Sequence, residues 1–320
     1  MNVFLTIDVE TYTGDYTSDV DGHGKGLPYI LERLNKFKIG ATFFVEALAA
    51  TRWGIGPIRD ICALIMDFGQ DIQLHIHPKV AKIDKIRIID DRLWKYNKDT
   101  QKRLIEVGLG ILDKCGVENV IAFRAGDLAA NIDTLAVMEE VGLYLSSNRD
   151  LDMKSSIHTR INDHFPITND ISKRGNIIDI PVTAFRSAFP FIDGRYRHFE
   201  ICALGAGEMK GALFQMMKTG YQCAGVLTHP SEFFRSSEKE SQFIGKNCRR
   251  FEALLKYLHR EPEMNTLRLG RCSPTISLPE ESPLDIRLSL PCTIIRVWEQ
   301  GLDRIFNTRK TTRQNALLRK

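Results

Sequence analysis

The sequence predicts an α/β barrel with parallel strands, and three observations support this fold class. Short apolar segments alternate with amphipathic segments of helical period along most of the chain. This alternation is typical of βαβ units, which build parallel sheets. Polar residues that can bind metals or transfer protons follow the first, third, fourth and seventh strands. Active sites of βα barrels lie at this end of the strands. Motifs spread over so many strands favour a closed barrel over an open sheet, whose site lies near one switch point.

Short apolar runs predict the strands of this barrel. In chain order they are Val3–Val9, Ala41–Val45, Ile72–His77, Val120–Arg124, Leu143–Ser147, Ile177–Val182, Cys223–Leu227 and a last short strand at Thr266–Leu269.

Apolar residues at helical spacing predict the intervening helices. They cover Leu27–Phe37, Ile58–Phe68, Asp99–Cys115, a helix capped by Asn131 and running to Val141, Glu208–Lys218 and Phe243–His259. Glycines just past several of these ends suit the left-handed conformation that terminates a helix. The polar stretch Arg149–Arg174 predicts a long loop over one end of the barrel.

The character of the sequence changes near residue 271, which predicts a barrel over residues 1–270 and a C-terminal extension over 271–320. Prolines recur at the start of the extension, and its end is basic and polar. We expect a helix near Ile294–Phe306 packed on the barrel, followed by a frayed terminus.

Composition excludes several classes of protein. The net charge of +4 is too small to indicate a nucleic-acid partner. The seven cysteines are odd in number and form no C-x-x-C pair, which indicates reduced thiols. The N-terminus lacks the pattern of a signal peptide, and no apolar run reaches the ~20 residues that span a bilayer. We therefore expect a cytoplasmic protein without a membrane span.

Paired carboxylates end the first strand. Asp8 and Glu10 lie two residues apart, so they point to the same face of a strand. At a strand end, one carboxylate can hold a metal ion while the other accepts a proton.

A pair of histidines ends the third strand in the same way. Strict alternation over residues 71–77 places His75 and His77 on the face opposite the apolar residues. Zinc binds histidine nitrogen and carboxylate oxygen, and catalytic zinc sites keep an open position. Glu10, His75 and His77 can supply three ligands and leave room for a water whose pKa zinc lowers to about 7.

Two further residues complete the expected chemistry. Asp8 can accept the proton of the water, and Arg124 after the fourth strand can pair with Asp8 and hold it ionised. His229 after the seventh strand can, as imidazolium, protonate a leaving group, which an amine requires.

These segments resemble the motifs of the metal-dependent polysaccharide deacetylases of the carbohydrate esterase type. Thr6–Glu10 is similar to the motif that carries the base and the metal carboxylate, and His75 with His77 to the metal-binding histidine pair. Phe123–Gly126 is similar to the motif with the arginine that partners the base, and Leu227–His229 to the one with the acid histidine. The resemblance implies a distorted (β/α)7 barrel and removal of acetyl groups from sugars.

Three features depart from the family pattern. The metal carboxylate is Glu10, where the family has an aspartate often adjacent to the base. The histidine pair has i, i+2 spacing, not i, i+4, and Lys79 occupies the i+4 position. No clear Asp-Trp motif is present, so Asp179 is the nearest candidate to orient His229. The variant resembles a bacterial subgroup associated with surface-polysaccharide and lipopolysaccharide biosynthesis.

The resulting hypothesis is a hydrolase that removes the acetyl group from an N-acetylated sugar, with a divalent metal, preferably zinc, as cofactor. A backbone N–H near Gly126 would help to stabilise the oxyanion. The expected partner is an acetylated sugar or glycan intermediate. Two alternatives remain open, a hydrolase of cyclic amides on the same fold and a catalytically silent carbohydrate-binding protein.

Overall fold

The computed structural model describes residues 1–10, 24–150, 159–165, 168–189, 196–237, 240–273 and 286–301. Within them, the predicted α/β barrel with parallel strands is confirmed. The strands are β1 Asn2–Val9, β2 Thr42–Glu46, β3 Asp71–Ile76, β4 Ala122–Ala125, β5 Leu145–Ser146, β6 Ser172–Arg174, β7 Ile177–Asp179, β8 Ala184–Arg186, β9 Tyr196–His198, β10 Cys223–Thr228, β11 Phe234–Ser237, β12 Glu240–Phe243 and β13 Asn265–Thr266.

The predicted helices of the barrel are present with ends shifted by one or two residues, and Ala50–Trp53 is a further short helix that the sequence did not predict. They are Gly26–Phe37, Ala50–Trp53, Gly56–Asp67, Lys98–Lys114, Ile132–Glu140, Ala206–Lys218 and Gly245–Arg260, and residues 290–301 are also helical. The predicted cap at Asn131 is present, because its side chain accepts a hydrogen bond from the Thr134 N–H at 3.1 Å.

The main sheet curls into the barrel. Its strand order is β10, β1, β2, β3, β4, β5, β7 and β6, with β13 beside the start of β1. Every neighbouring pair in this sheet is parallel except β6 and β7. Because consecutive strands are neighbours and β10 returns to β1, the C-terminal ends of the strands gather around one opening.

Alternation along β1 separates two apolar cores and a polar opening. Leu5 and the other odd-numbered residues of β1 pack against the outer helices. Phe4 points the other way, into the barrel, where it contacts apolar residues of several strands. Further along the same inward row come Thr6 and Asp8, which are buried, and then Glu10. The lower half of the barrel interior is therefore apolar, and the upper half is polar.

The barrel closes between β7 and β10 through a few hydrogen bonds and without a strand ladder. The Thr183 N–H donates to the Gly225 carbonyl at 3.0 Å, and the Gly225 N–H donates to the Thr183 hydroxyl at 2.8 Å. The Asp170 carboxylate accepts from the N–H groups of Gln222 and Cys223 at 2.7 and 2.9 Å. A side chain at Gly225 would collide with the segment that crosses it. This partial closure makes the barrel a distorted one.

Part of the predicted loop Arg149–Arg174 is a strand. The short strand β6, Ser172–Arg174, pairs antiparallel with β7 at the edge of the sheet. Lys173 and Arg174 are exposed, so this strand has no apolar alternation that the sequence could reveal. Charged, short strands of this kind protect a sheet edge from pairing with other chains.

The C-terminal extension contacts the barrel where the structure describes it. The Arg186 N–H donates to the Ile286 carbonyl, and the Leu288 N–H donates to the Arg186 carbonyl, both at 2.9 Å. The helix over 290–301 begins earlier than the predicted one at Ile294–Phe306, whose last residues lie outside the described part. In the described part of the chain, no helix has the length and apolarity needed to cross a bilayer.

A buried ion pair ties the loop after β5 to β7. Arg149 and Asp179 are almost fully buried, and the Arg149 Nε lies 2.9 Å from the Asp179 Oδ2. The same guanidinium donates to the carbonyls of Thr168 and Asp170 and to the Ser172 hydroxyl. A buried carboxylate with this partner has a structural role, because its removal leaves an uncompensated buried charge.

We predict that Asp179→Asn lowers the free energy of unfolding by about 3 kcal/mol, because Arg149 loses its counter-charge in a buried environment. Urea denaturation measures this change. Glu140→Gln, at an exposed carboxylate that binds Lys98 and Lys102, is the control and should change stability little. An Asp179→Asn protein as stable as that control would contradict the structural role.

Candidate metal centre and active site

The structure brings six of the residues selected from the sequence to the open end of the barrel. Asp8 belongs to β1 and Glu10 follows it, while His75 belongs to β3 and His77 follows that strand. Arg124 lies in β4, and His229 directly follows β10. Because all four strands are parallel, their C-terminal ends meet on one side. The sequence prediction that these segments converge is therefore matched by their positions.

Three of these residues form a candidate metal centre. The Glu10 Oε1 lies 2.9 Å from the His75 Nε2 and 3.0 Å from the His77 Nε2. One ligand atom from each of the three residues lies within 4.8 Å of the others. His75 and His77 are almost fully buried, and Glu10 is partly exposed.

The donor pattern of the two imidazoles fits a divalent metal ion. The His75 Nδ1 contacts the Arg124 carbonyl, and the His77 Nδ1 contacts the Asp91 Oδ2, both at 2.9 Å. Carbonyl and carboxylate oxygens only accept hydrogen bonds, so each Nδ1 carries a hydrogen. In a neutral imidazole the Nε2 then offers a lone pair, and both Nε2 atoms face the carboxylate of Glu10. A cation satisfies the three acceptors together, as in metal sites whose histidines are oriented by carboxylates or carbonyls.

Electrostatics in the same cluster favour a charged carboxylate and a positive charge beside it. Burial alone would raise the pKa of Glu10, but hydrogen bonds with His75 and His77 outweigh it and hold that pKa well below its usual value. Burial alone would lower the pKa of His77, but Asp91 and Glu10 raise it well above its usual value. A proton on His77 therefore compensates the charge of the Glu10 carboxylate, at a position where a metal ion would supply positive charge.

Three residues hold the His77 ligand in place, and two of them, Glu46 and Asp91, were not predicted as site residues. Glu46, at the end of β2, is fully buried and accepts hydrogen bonds from the His77 N–H and, at 2.6 Å, from the Leu48 N–H. Burial raises the pKa of Glu46 to about 7. Gly126 lies against the imidazole of His77, where a side chain would collide with the ring. The third contact is the one between the Asp91 carboxylate and the His77 Nδ1.

The candidate base is fixed by a buried arginine. The Arg124 Nη1 lies 2.5 Å from the Asp8 Oδ1, and the Arg124 Nη2 donates to the hydroxyls of Thr6 and Ser147 at 3.0 and 2.7 Å. Both Asp8 and Arg124 are nearly inaccessible to solvent. The guanidinium also lies over the Phe44 ring, 4.3 Å from its centroid. The salt bridge therefore engages the Oδ1 of Asp8 and restricts the orientation of its carboxylate.

The candidate acid has a partner that the sequence did not suggest. The His229 Nδ1 lies 2.9 Å from the Glu232 Oε1, and the Thr228 hydroxyl donates to the Glu232 Oε2 at 2.8 Å. Burial lowers the pKa of His229, but the hydrogen bond to Glu232 and the charges of Glu232, Glu10 and Asp8 raise it to about 10. The imidazole is therefore protonated at neutral pH.

The suggestion that Asp179 orients His229 is wrong. Asp179 contacts Arg149 and the Ser146 hydroxyl. Its neighbour Ile178 points into the barrel interior, so alternation turns Asp179 away from it. Glu232, three residues after His229, takes this position. A carboxylate at i+3 in a sequence His-Pro-Ser-Glu was the signal available in the chain.

The turn after β4 has an unusual backbone. Gly126–Leu128 form one 3₁₀ turn, in which Asp127 and Leu128 adopt positive φ angles of 53° and 55°. Such angles cost a non-glycine residue energy and persist where the surrounding structure enforces them. The turn places Gly126 beside His77 and directs its backbone at the same end of the barrel.

The chain is similar in fold to solved structures of diverse function. No protein-family model and no curated protein matches the sequence. A Mycobacterium smegmatis protein, described as a candidate polysaccharide deacetylase, superposes with a TM-score of 0.54 at 15% identity, covering 88% of this chain and 94% of that one. The 4-α-glucanotransferase of Thermococcus litoralis superposes with a TM-score of 0.52 at 11% identity, covering 84% of this chain and 39% of that one. The likeness is one of fold. At this identity, function must be argued from the residues of the site.

We predict that Asp91→Asn weakens metal binding about 10–100-fold, because the carboxylate that fixes the His77 ring is lost. Titration of the metal-free protein with zinc measures the affinity. Asp90→Asn is the matched control, since Asp90 binds the Arg92 side chain at 2.6–2.7 Å. Equal affinities in the two variants would show that Asp91 does not support a metal ligand.

Proposed function

We propose that this protein is a metal-dependent hydrolase that removes the acetyl group from an N-acetylated sugar. One observation carries the proposal. A cluster of two histidines and a carboxylate suited to a metal lies beside a buried Asp8–Arg124 pair and the protonated His229. Hydrolysis of an amide needs an activated water, a base and an acid, and these groups can supply all three.

Glu10, His75 and His77 would hold the divalent metal, with zinc preferred for this set of nitrogen and oxygen donors. When bound, the ion supplies Lewis-acid polarisation and lowers the pKa of water. The base, the acid and the donor to the oxyanion would all be side chains or backbone groups of the protein. Glu46 holds the backbone of His77, and Asp91 and Gly126 keep its ring in place.

Asp8 would act as the base. Its carboxylate takes one proton from the attacking water, and the oxygen of that water bonds to the acetyl carbon. Arg124 stabilises the ionised form of Asp8 before the transfer and restricts its rotation. The backbone N–H near Gly126 would donate to the oxyanion that forms on the acetyl carbonyl oxygen.

His229 would act as the acid. Its Nε2 lies 4.0 Å from the Glu10 Oε1, at the mouth of the barrel. As the bond between the acetyl carbon and the sugar nitrogen breaks, His229 donates a proton to that nitrogen, and the products are acetate and a free amine. Glu232 keeps the imidazole charged and oriented.

The substrate class follows from the site and from the resemblance of its motifs. Acetylated glycan intermediates of surface-polysaccharide synthesis carry the amide that this arrangement would hydrolyse. The similarity of fold to a protein described as a candidate polysaccharide deacetylase supports the same class.

We predict near-stoichiometric divalent metal in the purified protein and its loss in His75→Ala/His77→Ala, because both imidazole ligands are removed. Elemental analysis measures the metal.

Asp8→Asn should keep the metal but lose at least about 99% of the turnover of N-acetylated sugars, since general-base catalysis is removed. Absence of metal in the wild-type protein, even after incubation with divalent ions, would refute the mechanism. An active Asp8→Asn protein would refute the role of Asp8.

We also predict that Glu232→Gln shifts the alkaline limb of kcat/KM to lower pH. Glu232 raises the pKa of His229, so without its charge the imidazole loses its proton at lower pH. A pH–rate profile on an N-acetylated sugar measures the shift. Asp179→Asn is the comparison and should leave the profile unchanged, because Asp179 binds Arg149. A shift in Asp179→Asn but not in Glu232→Gln would reverse the assignment.

A further inference from the structure

The helix over residues 290–301 buries polar side chains and exposes apolar ones. Thr293 and Arg296 face the barrel and are nearly inaccessible to solvent. The Thr293 hydroxyl donates to the Glu208 Oε1 at 2.5 Å, and the Arg296 Nε lies 2.9 Å from the Glu208 Oε2. This orientation is the reverse of an ordinary surface helix, whose apolar side faces the core.

The opposite side of the helix is an apolar face, which we define by five exposed residues. Half of the large apolar side chains that are exposed in the described part of the chain belong to it, and Trp298 is 71% exposed. The five residues are Leu290, Ile294, Ile295, Val297 and Trp298. At 3.6 residues per turn they cover a single stripe opposite Thr293 and Arg296. Contiguous exposed apolar surface of this kind marks an interaction site.

The buried polar contacts prevent the helix from rotating to hide this face. Rotation would separate Arg296 from Glu208 and leave buried charges without partners, which is strongly unfavourable. Arg250 adds a second anchor, because it donates to the Cys202 carbonyl and binds the Glu299 carboxylate at 3.0 and 3.1 Å. The apolar face is therefore held outward by the fold.

The charge of the residues that follow the helix in the sequence indicates which kind of partner binds this face. Residues 302–320, directly after the helix, contain six lysines and arginines and one acidic residue, Asp303. Two copies of the chain joined through the apolar face would bring two such positive segments together, which would repel. An anionic lipid surface attracts lysines and arginines, and the attraction grows with the number of basic residues near it. Apolar insertion combined with a polybasic segment is the pair of signals that stable membrane anchoring requires.

The exposed tryptophan points to the same partner. Tryptophan is enriched at membrane–water interfaces, where its ring is buried among lipids and its N–H remains hydrated. We propose that the apolar face is a reversible docking surface for an anionic lipid membrane, to which the basic residues that follow it in the sequence add electrostatic attraction. This interaction leaves the protein on the surface of the bilayer and requires no spanning helix.

A series of contacts connects the helix over 290–301 to the candidate active site. Arg250 links Glu299 of the helix to Cys202, and Cys202 shares a cluster with Glu200 and Glu232, whose ligand atoms lie within 4.8 Å of one another. Glu232 in turn holds His229. If the proposed function is correct, on which this step rests, docking brings the barrel mouth near the membrane, and the substrate is an acetylated glycan carried on a lipid.

The test uses the full chain and vesicles of phosphatidylcholine with phosphatidylglycerol. We expect the protein to float with these vesicles, to be released by high salt, and to bind vesicles of phosphatidylcholine alone only weakly. Ile294→Ser/Trp298→Ser should weaken binding at least about tenfold, because two inserted apolar side chains are lost. Met66→Ser, at an exposed apolar residue of the helix Gly56–Asp67, is the control and should bind normally.

Fluorescence provides a second readout. Tryptophan emission should shift to shorter wavelength on vesicle binding, and Trp298→Phe should lose the shift while it still binds. Unchanged thermal unfolding would show that the variants fold. Failure of the wild-type protein to bind at low salt would overturn the proposal, as would a wild-type dimer that Ile294→Ser/Trp298→Ser converts to monomer. Metal content and turnover are measured separately, so vesicle binding without metal would refute the proposed function and leave the docking surface intact.

Discussion

The contacts of Arg124 are the constraint on which the rest of the site depends. Its guanidinium binds Asp8 and Thr6 on β1 and Ser147 after β5, and it lies over Phe44 of β2. Its backbone carbonyl accepts a hydrogen bond from the Nδ1 of His75 on β3. One residue of β4 thus connects five consecutive strands, the candidate base and a candidate metal ligand. A buried guanidinium is stable only when its donors are satisfied, so these strands must keep their relative positions for the charge to remain inside.

The barrel interior is apolar at its lower end and polar near its mouth, and the proposed chemistry depends on this division. Apolar residues such as Phe4 and Ile178 fill the lower half. The polar residues above them are buried but paired, which avoids the large cost of isolated charges in a medium of low polarity. Because solvent screening is weak there, a neighbouring charge shifts the pKa of a buried group strongly. The raised pKa of His229 beside Glu232 is an example. Glu10 and His229 lie at the border with solvent, where substrate could reach them.

The unusual spacing of the candidate ligands has a geometric explanation. Residues two apart on a strand share a face, so His75 and His77 both point inward without the helical turn that i, i+4 spacing would need. Glu10 lies beyond the end of β1, and its longer side chain reaches back to both imidazoles. The backbone of His77 has left the strand, which explains why Glu46, Asp91 and Gly126 are needed to hold it.

The sequence by itself determined the fold class, most strand and helix positions, and the residues that meet at the barrel mouth. It could do so because alternation and strand ends are local properties that parallel pairing converts into proximity. Only the tertiary structure decided which carboxylates serve which histidines. Alternation along β7 turns Asp179 away from the barrel interior and toward Arg149, Asp91 lies in a loop, and Glu232 lies beside His229. The orientation of the helix over 290–301 was also beyond sequence pattern, since an apolar stripe ordinarily predicts the buried side. Here the buried pair of Arg296 and Glu208 outweighs that preference and turns the apolar face to solvent.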